Sequence, residues 1–241
     1  MDTFEDEVGV PKPNIDEYAE EYIANLPTTP MQKIERQDYM RKVYGIVTLQ
    51  LIITFGMTYL ASFFDTFGSF CSHPATMIIA FILLLGTMIA SMFLSHQVPY
   101  NYIALLGFTL AMSLIVSGTA AEIDPSRVSL AIFSTLLMSI ALTIYVWRSS
   151  TSGLILPLVI IIIGTFVAEF LIISFIFTRS EYLFALCCSI IALIYGCYLV
   201  VHTHLIKQYS EVDDYIISAI IIYLDIIRIF IYVLAVIAKK R

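Results

Sequence analysis

Charged residues are scarce in this chain: they make up 13% of its 241 residues, against 59% hydrophobic ones. A soluble globular surface carries about twice that share of charge, and the mean hydropathy of +0.89 excludes such a domain. The net charge of −6 misleads, because residues 1–30 carry about −7 and leave the membrane part close to neutral at about +1; nucleic acid is not expected as a partner. Cysteine is also sparse. Cys187, Cys188 and Cys197 fall inside one apolar run and Cys71 in a short connection, with no spacing of a disulfide framework or zinc site, so they read as packing thiols. Enzyme signatures are missing: there is no Gly-x-Ser-x-Gly elbow, P-loop, His-Glu-x-x-His or Gly-x-Gly-x-x-Gly. One deep aspartate is too few for an intramembrane aspartyl protease. Neither catalysis nor a cofactor is expected.

What the chain has instead is length of apolar sequence. Segments of about 18–24 residues recur from residue 43 onward, each able to cross a hydrocarbon core of about 30 Å. The expectation is an all-α polytopic membrane protein, a seven-helix bundle with spans at about 43–64, 75–95, 101–121, 128–147, 154–176, 182–206 and 214–238. Pro74, Pro99, Asp124-Pro125 and Ser149 to Gly153 punctuate the connections. Tyr39, Tyr44, Tyr100, Tyr102, Trp147, Tyr182 and Tyr215 cluster at span ends, as an interfacial belt would.

Residues 1–30 hold eight acids against Lys12, together with Pro11, Pro13, Pro27 and Pro30. Residues 1–35 therefore read as an acidic, disordered cytosolic tail, and 36–241 as the membrane domain. No positive n-region leads into an apolar stretch ahead of the first span, so no cleavable signal peptide is expected and that span serves as the insertion signal. Lys33, Arg36, Arg41, Lys42, Arg148 and Lys207 flank one side and only Arg127 and Arg179 the other, which orients the N-terminus to the cytosol. Seven crossings put Lys239, Lys240 and Arg241 outside; the alternative is a re-entrant last segment with both ends cytosolic.

Polar residues within the spans are few enough to read singly. Asp214, Ser218, Asp225, Arg228 and Tyr232 step by four, seven, three and four residues, a spacing that lines one helix face. Charges at bilayer depth cost about 2.5–3.5 kcal/mol each on the insertion scale and survive mainly in a bundle interior or wet pathway. Asp225 and Arg228, at i and i+3, read either as a self-neutralising structural pair or as a gate or ion site. His202 and His204 lie near the end of the sixth span, about 200° apart, so only one faces the interior. His202, over Tyr195 and Tyr198, reads as a pH switch or as an interfacial histidine with no task, and His204 as the latter. Glu169, mid-span, reads as part of a polar pathway or as a protonated interhelical hydrogen-bonder. Ser113, Ser117, Ser139 and Thr143 read as interhelical hydrogen-bonders, and Gly86 with Ala90 as a close-packing pair.

Three stretches carry a resemblance. They are Tyr39-Met40-Arg41-Lys42-Val43-Tyr44 leading into Leu49-Gln50-Leu51, Pro99-Tyr100-Asn101 followed by Leu105 to Leu110, and Asp213-Asp214-Tyr215 followed by Tyr223-Leu224-Asp225-Ile226-Ile227. From about residue 36 to the end, the chain resembles the lifeguard branch of the transmembrane Bax inhibitor motif family, which includes the Golgi anti-apoptotic proteins. The resemblance implies a seven-helix protein of the endoplasmic reticulum or Golgi that suppresses cell death and leaks calcium from stores in a pH-sensitive way. The implied gate is a proton-sharing pair of aspartates in spans six and seven. Asp225 matches the second of these, and Asp213 the acidic position before the last helix.

The chain departs from that pattern where it matters. His202-Thr203-His204 stands where the family writes Asp-Thr-Gln or Asp-Thr-His, Arg228 replaces a usual asparagine, and Met112 a frequent glutamate. Exchanging acids for bases implies less cation attraction and weaker proton gating than in the family. The first functional reading is a calcium leak channel or calcium regulator acting against apoptosis, with membrane lipid and calcium as its partners and calcium as a permeant ion rather than a cofactor. The second is a non-conducting scaffold that binds apoptosis-regulating membrane proteins. A small-solute transporter lacks the broken helices and paired repeats it would need.

Overall fold

The computed structural model describes residues 33–148, 157, 159, 160, 163, 167, 181–210 and 214–238. Seven helices are defined among them: α1 (Lys33–Phe63), α2 (Asp65–Ser72), α3 (Pro74–Phe93), α4 (Tyr100–Ala120), α5 (Pro125–Arg148), α6 (Glu181–Tyr209) and α7 (Tyr215–Ile237). All but α2 are long and apolar enough to cross a membrane, giving six spans among the described residues. The expected span at 154–176 and its Glu169 lie outside the described residues, apart from Pro157, Val159, Ile160, Ile163 and Val167, which are helical. Of these, Ile160 packs against Ile194 and Cys197 of α6.

The helices form because backbone N–H and C=O groups in hydrocarbon must be paired within the segment. Proline sets several starts: Pro74 and Pro125 are the first residues of α3 and α5, where a missing N–H costs nothing, and Pro99 immediately precedes α4. The His73 ring accepts a hydrogen bond from the Ala75 N–H at 3.3 Å and so caps α3. Two boundaries differ from expectation. Helix α1 begins ten residues before the apolar run, in the charged stretch from Lys33 to Lys42. The supposed loop holding Cys71 is the short helix α2, with Cys71 fully buried.

Helix α7 is the axis of the bundle. Most of its apolar residues are buried, among them Ile216, Ile222, Tyr223, Ile227, Ile229 and Phe230, while Ile217, Ile221, Leu224 and Ile231 form a half-buried face. Phe230 meets Phe55 of α1 with ring centroids 5.0 Å apart, and Tyr223 meets Phe108 of α4 edge-on at 6.0 Å. Helix α3, by contrast, buries only 11% of its apolar window and faces lipid along most of its surface. Between helices in lipid, such packing rather than water exclusion supplies the attraction.

Side-chain bonds identify the two ends of the bundle. At one end Tyr39 of α1 bonds Ser218 of α7 at 2.7 Å, Asn101 of α4 donates to the Tyr215 hydroxyl at 3.0 Å, and Lys42 sits 3.2 Å over the Tyr215 ring. Lys207 of α6 reaches the Val146 and Trp147 carbonyls of α5 at 3.4 Å. At the other end Arg127, in the first turn of α5, donates to the carbonyl of Ile237 at 3.0 Å, placing a cation at the negative end of α7. Helix α7 therefore runs unbroken from one end to the other and is long and apolar enough to cross a membrane. The aromatic belt needs correction too: Tyr100, Tyr102 and Trp147 are exposed, but Tyr39 and Tyr215 point inward and are buried.

Close approach occurs at glycines other than the expected one. Gly86 has open space around it, whereas a methyl group on Gly118 would lie 2.7 Å from the Cys71 carbonyl oxygen and 2.6 Å from the Met77 sulfur. The carbonyl belongs to backbone and cannot swing away. Gly118→Ala is expected to destabilise the protein by about 1–3 kcal/mol, the usual cost of overpacking. It would be read as a lowered Tm in detergent micelles; Gly86→Ala serves as the neutral control.

Candidate functional site

The expected polar stripe on α7 is only partly a stripe. Ser218 and Asp225 are buried, Tyr232 is half-buried and Arg228 is exposed. Asp225 is the informative member, with 1% of its surface accessible. Its Oδ2 lies 2.6 Å from Nδ1 of His202 on α6, and its Oδ1 lies 3.8 Å from the Arg228 guanidinium on its own helix. The carboxylate is thus held between two basic groups, one from each helix.

Helix geometry explains how residues at different depths meet. At 1.5 Å per residue, Asp225 sits about 15 Å from the start of α7 and His202 about 10 Å from the end of α6. Side chains lean toward the N-terminus of their own helix. The helices are antiparallel, so Asp225 leans back while His202 leans deeper, and the lean closes the gap. Around the contact lies an aromatic box: Tyr198 is 5.8 Å from the His202 ring, Tyr195 stacks on Tyr232 at 5.6 Å, and Arg228 lies 5.3 Å over Tyr195.

His204 faces elsewhere, as the 200° separation requires. It is the more buried of the two histidines and bonds Gln208 one turn on, at 3.0 Å. Asp213 and Glu169 lie outside the described residues, while Asp214 approaches His96 at 4.0 Å. Among the described residues, no group of three His, Cys, Asp or Glu side chains gathers as a metal site would require.

A second polar assembly occupies the opposite side of α7. The Tyr223 hydroxyl bonds Thr54 of α1 at 2.8 Å, Thr54 bonds Ser113 of α4 at 2.9 Å, and Gln50 donates to Thr109 at 3.0 Å. These five residues are all buried. Tyr223 and Asp225, two residues apart, point about 200° away from each other, so this ladder does not touch the carboxylate. Of the expected interhelical hydrogen-bonders, Ser113 bonds Thr54 and Thr143 accepts from Tyr44 at 3.4 Å. Ser117 and Ser139 are buried without a hydroxyl partner among the described residues. The ladder's signal was present in the sequence: Gln50, Thr54, Thr58 and Ser62 step by four, as do Thr109, Ser113 and Ser117.

Among the described residues, five apolar spans packed with a sixth, α7, that carries a buried, base-compensated carboxylate define a polytopic helical membrane protein with a polar contact between two of its spans. The chain belongs to the family described as inhibitor of apoptosis-promoting Bax1, whose sequence pattern matches residues 36–241. It is similar to the Golgi anti-apoptotic protein of vaccinia virus (strain Lister), with 28% identity over 206 residues that cover 83% of this chain and 84% of the relative. Protein lifeguard 4 of Mus musculus is 29% identical over 206 residues, with the same shares of each chain. Protein LIFEGUARD 3 of Arabidopsis thaliana is 30% identical over 218 residues, covering 83% and 84%. These relatives are named for opposing cell death or as lifeguards, not as enzymes.

Proposed function

We propose that this protein suppresses apoptosis from an endoplasmic reticulum or Golgi membrane as a calcium leak channel or channel-like calcium regulator, with its gate between α6 and α7. The observation that carries the reading is the Asp225–His202 contact: a carboxylate buried at membrane depth, 2.6 Å from a histidine on the neighbouring helix. A structural pair on α7 alone would need only Arg228, whose guanidinium is both farther away and half exposed. A protonated imidazole attracts the carboxylate and a neutral one does not, so the proposed contact is tighter in acid than in base. The gate is therefore closed by protons, and Arg228 keeps part of the carboxylate's charge compensated throughout. Support for the apoptotic role comes from the names of the relatives, one of them a Golgi protein.

Connectivity supports seven crossings with a cytosolic N-terminus. Lys207 brings the last turns of α5 and α6 together at one end of the bundle, so these two helices run parallel. Lys42, Lys207 and the exposed end of α5 then share the cytosolic side, and Arg127 lies opposite.

The test is calcium efflux from liposomes holding the purified full-length protein, at pH 6 and pH 8. Wild type is expected to leak, more at pH 8 than at pH 6, and Asp225→Asn to fall to the rate of empty liposomes. Loss of the carboxylate with an unchanged leak would sink the gate. The compensated charge of the site favours one rival, a non-conducting scaffold that binds death regulators. It predicts no leak at either pH, and loss of protection against cell death on deleting residues 1–30 but not in Asp225→Asn.

A further inference from the structure

A cleft opens sideways between α1 and α5. Leu51 and Phe55 form one wall, Leu136 and Ile140 the other, and Ile226 of α7 the floor, around a volume of about 480 Å³. Both walls belong to helices long and apolar enough to cross a membrane, and Ile140 at the rim is exposed. The medium against the opening is thus the bilayer. One end of the cleft is polar: Tyr44 bonds Thr143 across it at 3.4 Å. Ser139, one turn further in, lines the cleft with a buried hydroxyl that has no partner among the described residues. A buried hydroxyl left unpaired is costly, and such groups normally find an acceptor. From Tyr44 to Phe55 on α1, and from Ile144 to Ile132 on α5, the cleft runs about 16–18 Å, close to half of a hydrocarbon core of about 30 Å.

We propose that this cleft binds one acyl chain of a bilayer glycerolipid, methylenes along Leu51, Phe55 and Leu136, with the ester carbonyl accepting a hydrogen bond from the Ser139 hydroxyl. From Ser139 to Ile132 the cleft runs about 10 Å, room for the upper part of an acyl chain, and the unpaired donor sits inside the cleft rather than at its mouth. A sterol hydroxyl would stop at the Tyr44–Thr143 pair and leave Ser139 unpaired. Ile226 adjoins Asp225 in sequence, so the occupant rests against the helix that carries the buried carboxylate.

The experiment uses the full-length protein in phosphatidylcholine vesicles doped with phosphatidylcholine bearing a diazirine on one acyl chain, with adducts mapped by peptide mass spectrometry after irradiation. Adducts on Leu51, Leu136 and Ile226 are expected at about ten times the density found on lipid-bathed α3, the ratio given by a modest site preference. Leu136→Trp fills the cleft and should remove that excess while α3 labelling stays constant. Ile140→Trp, at the tolerant rim, does the same should the first variant fail to fold. Ser139→Ala should lower the excess about fivefold, the worth of one hydrogen bond. Adducts no denser in the cleft than on α3, or a diazirine sterol that displaces the phosphatidylcholine label, would overturn the proposal.

Discussion

His202→Asp is expected to turn a modest pH response into a steep one, with calcium efflux at pH 8 exceeding that at pH 6 by about tenfold or more. In wild type the contact joins a base to an acid, so loss of the imidazole's proton removes the charge–charge attraction and leaves a neutral imidazole bonded to a carboxylate. Arg228, 3.8 Å from the same carboxylate, remains in place. With aspartate at 202 two carboxylates face each other. At pH 6 they share a proton and hold together; at pH 8 both ionise and repel. Two unit charges 4 Å apart are worth about 4 kcal/mol at an effective dielectric constant of 20, which dominates the wild-type change. His202→Gln keeps a hydrogen-bonding group without the titration, and its efflux should hardly vary between the two pH values. An unaltered ratio in His202→Asp would mean that residue 202 does not gate, whatever its distance from Asp225.

The second large effect concerns stability. Tyr223→Ala is expected to cost about 3–5 kcal/mol, the range for truncating a buried aromatic side chain, and to lower the folded-to-unfolded ratio by two orders of magnitude or more. Tyr223 has no exposed surface, packs edge-on against Phe108 and ties α7 to α1 through Thr54. Tyr223→Phe separates ring from hydroxyl. Interhelical hydrogen bonds in membranes average about 0.6 kcal/mol, so this variant should stay close to wild type. Unfolding in detergent with increasing dodecyl sulfate measures both. A phenylalanine variant as damaged as the alanine one would shift the credit to the polar ladder.

The long apolar runs made six spans legible, and the prolines at 74, 99 and 125 fixed the starts of α3, α4 and α5 within a residue or two. The start of α1 was hidden because Lys33 to Lys42 is charged. Hydropathy is silent there, although Glu35, Arg36, Gln37 and Met40 are good helix formers. Helix α2, eight residues long with a glycine inside, is too short to carry a period. Asp225 stood out because ionised residues in such runs are rare. Its pairing with His202 came from the resemblance, which sets His202 where the family writes a span-six aspartate; spacing alone leaves the contact open, since residues about five ångströms apart in depth meet only through the lean of two antiparallel helices. Hydroxyl side chains in apolar helices are common enough that the four-residue stepping of Gln50 to Ser62 passed as background. Tyr39 and Tyr215 misled for the opposite reason: tyrosine near a span end suits the lipid interface, but these two found hydroxyl and amide partners inside the bundle.

Arg127 fastens the last carbonyl of α7, Tyr39 and Asn101 hold its first turn, and Thr54 grips it between. The carboxylate therefore rides on the stator of the assembly. In the proposed gate helix α6 would be the rotor: a stroke that separates Asp225 from His202 would belong to it, swinging about its attachment to α5 at Lys207. Spin labels paired between α6 and α7 should report that stroke as a change in distance with pH, while pairs between α1 and α7 stay fixed.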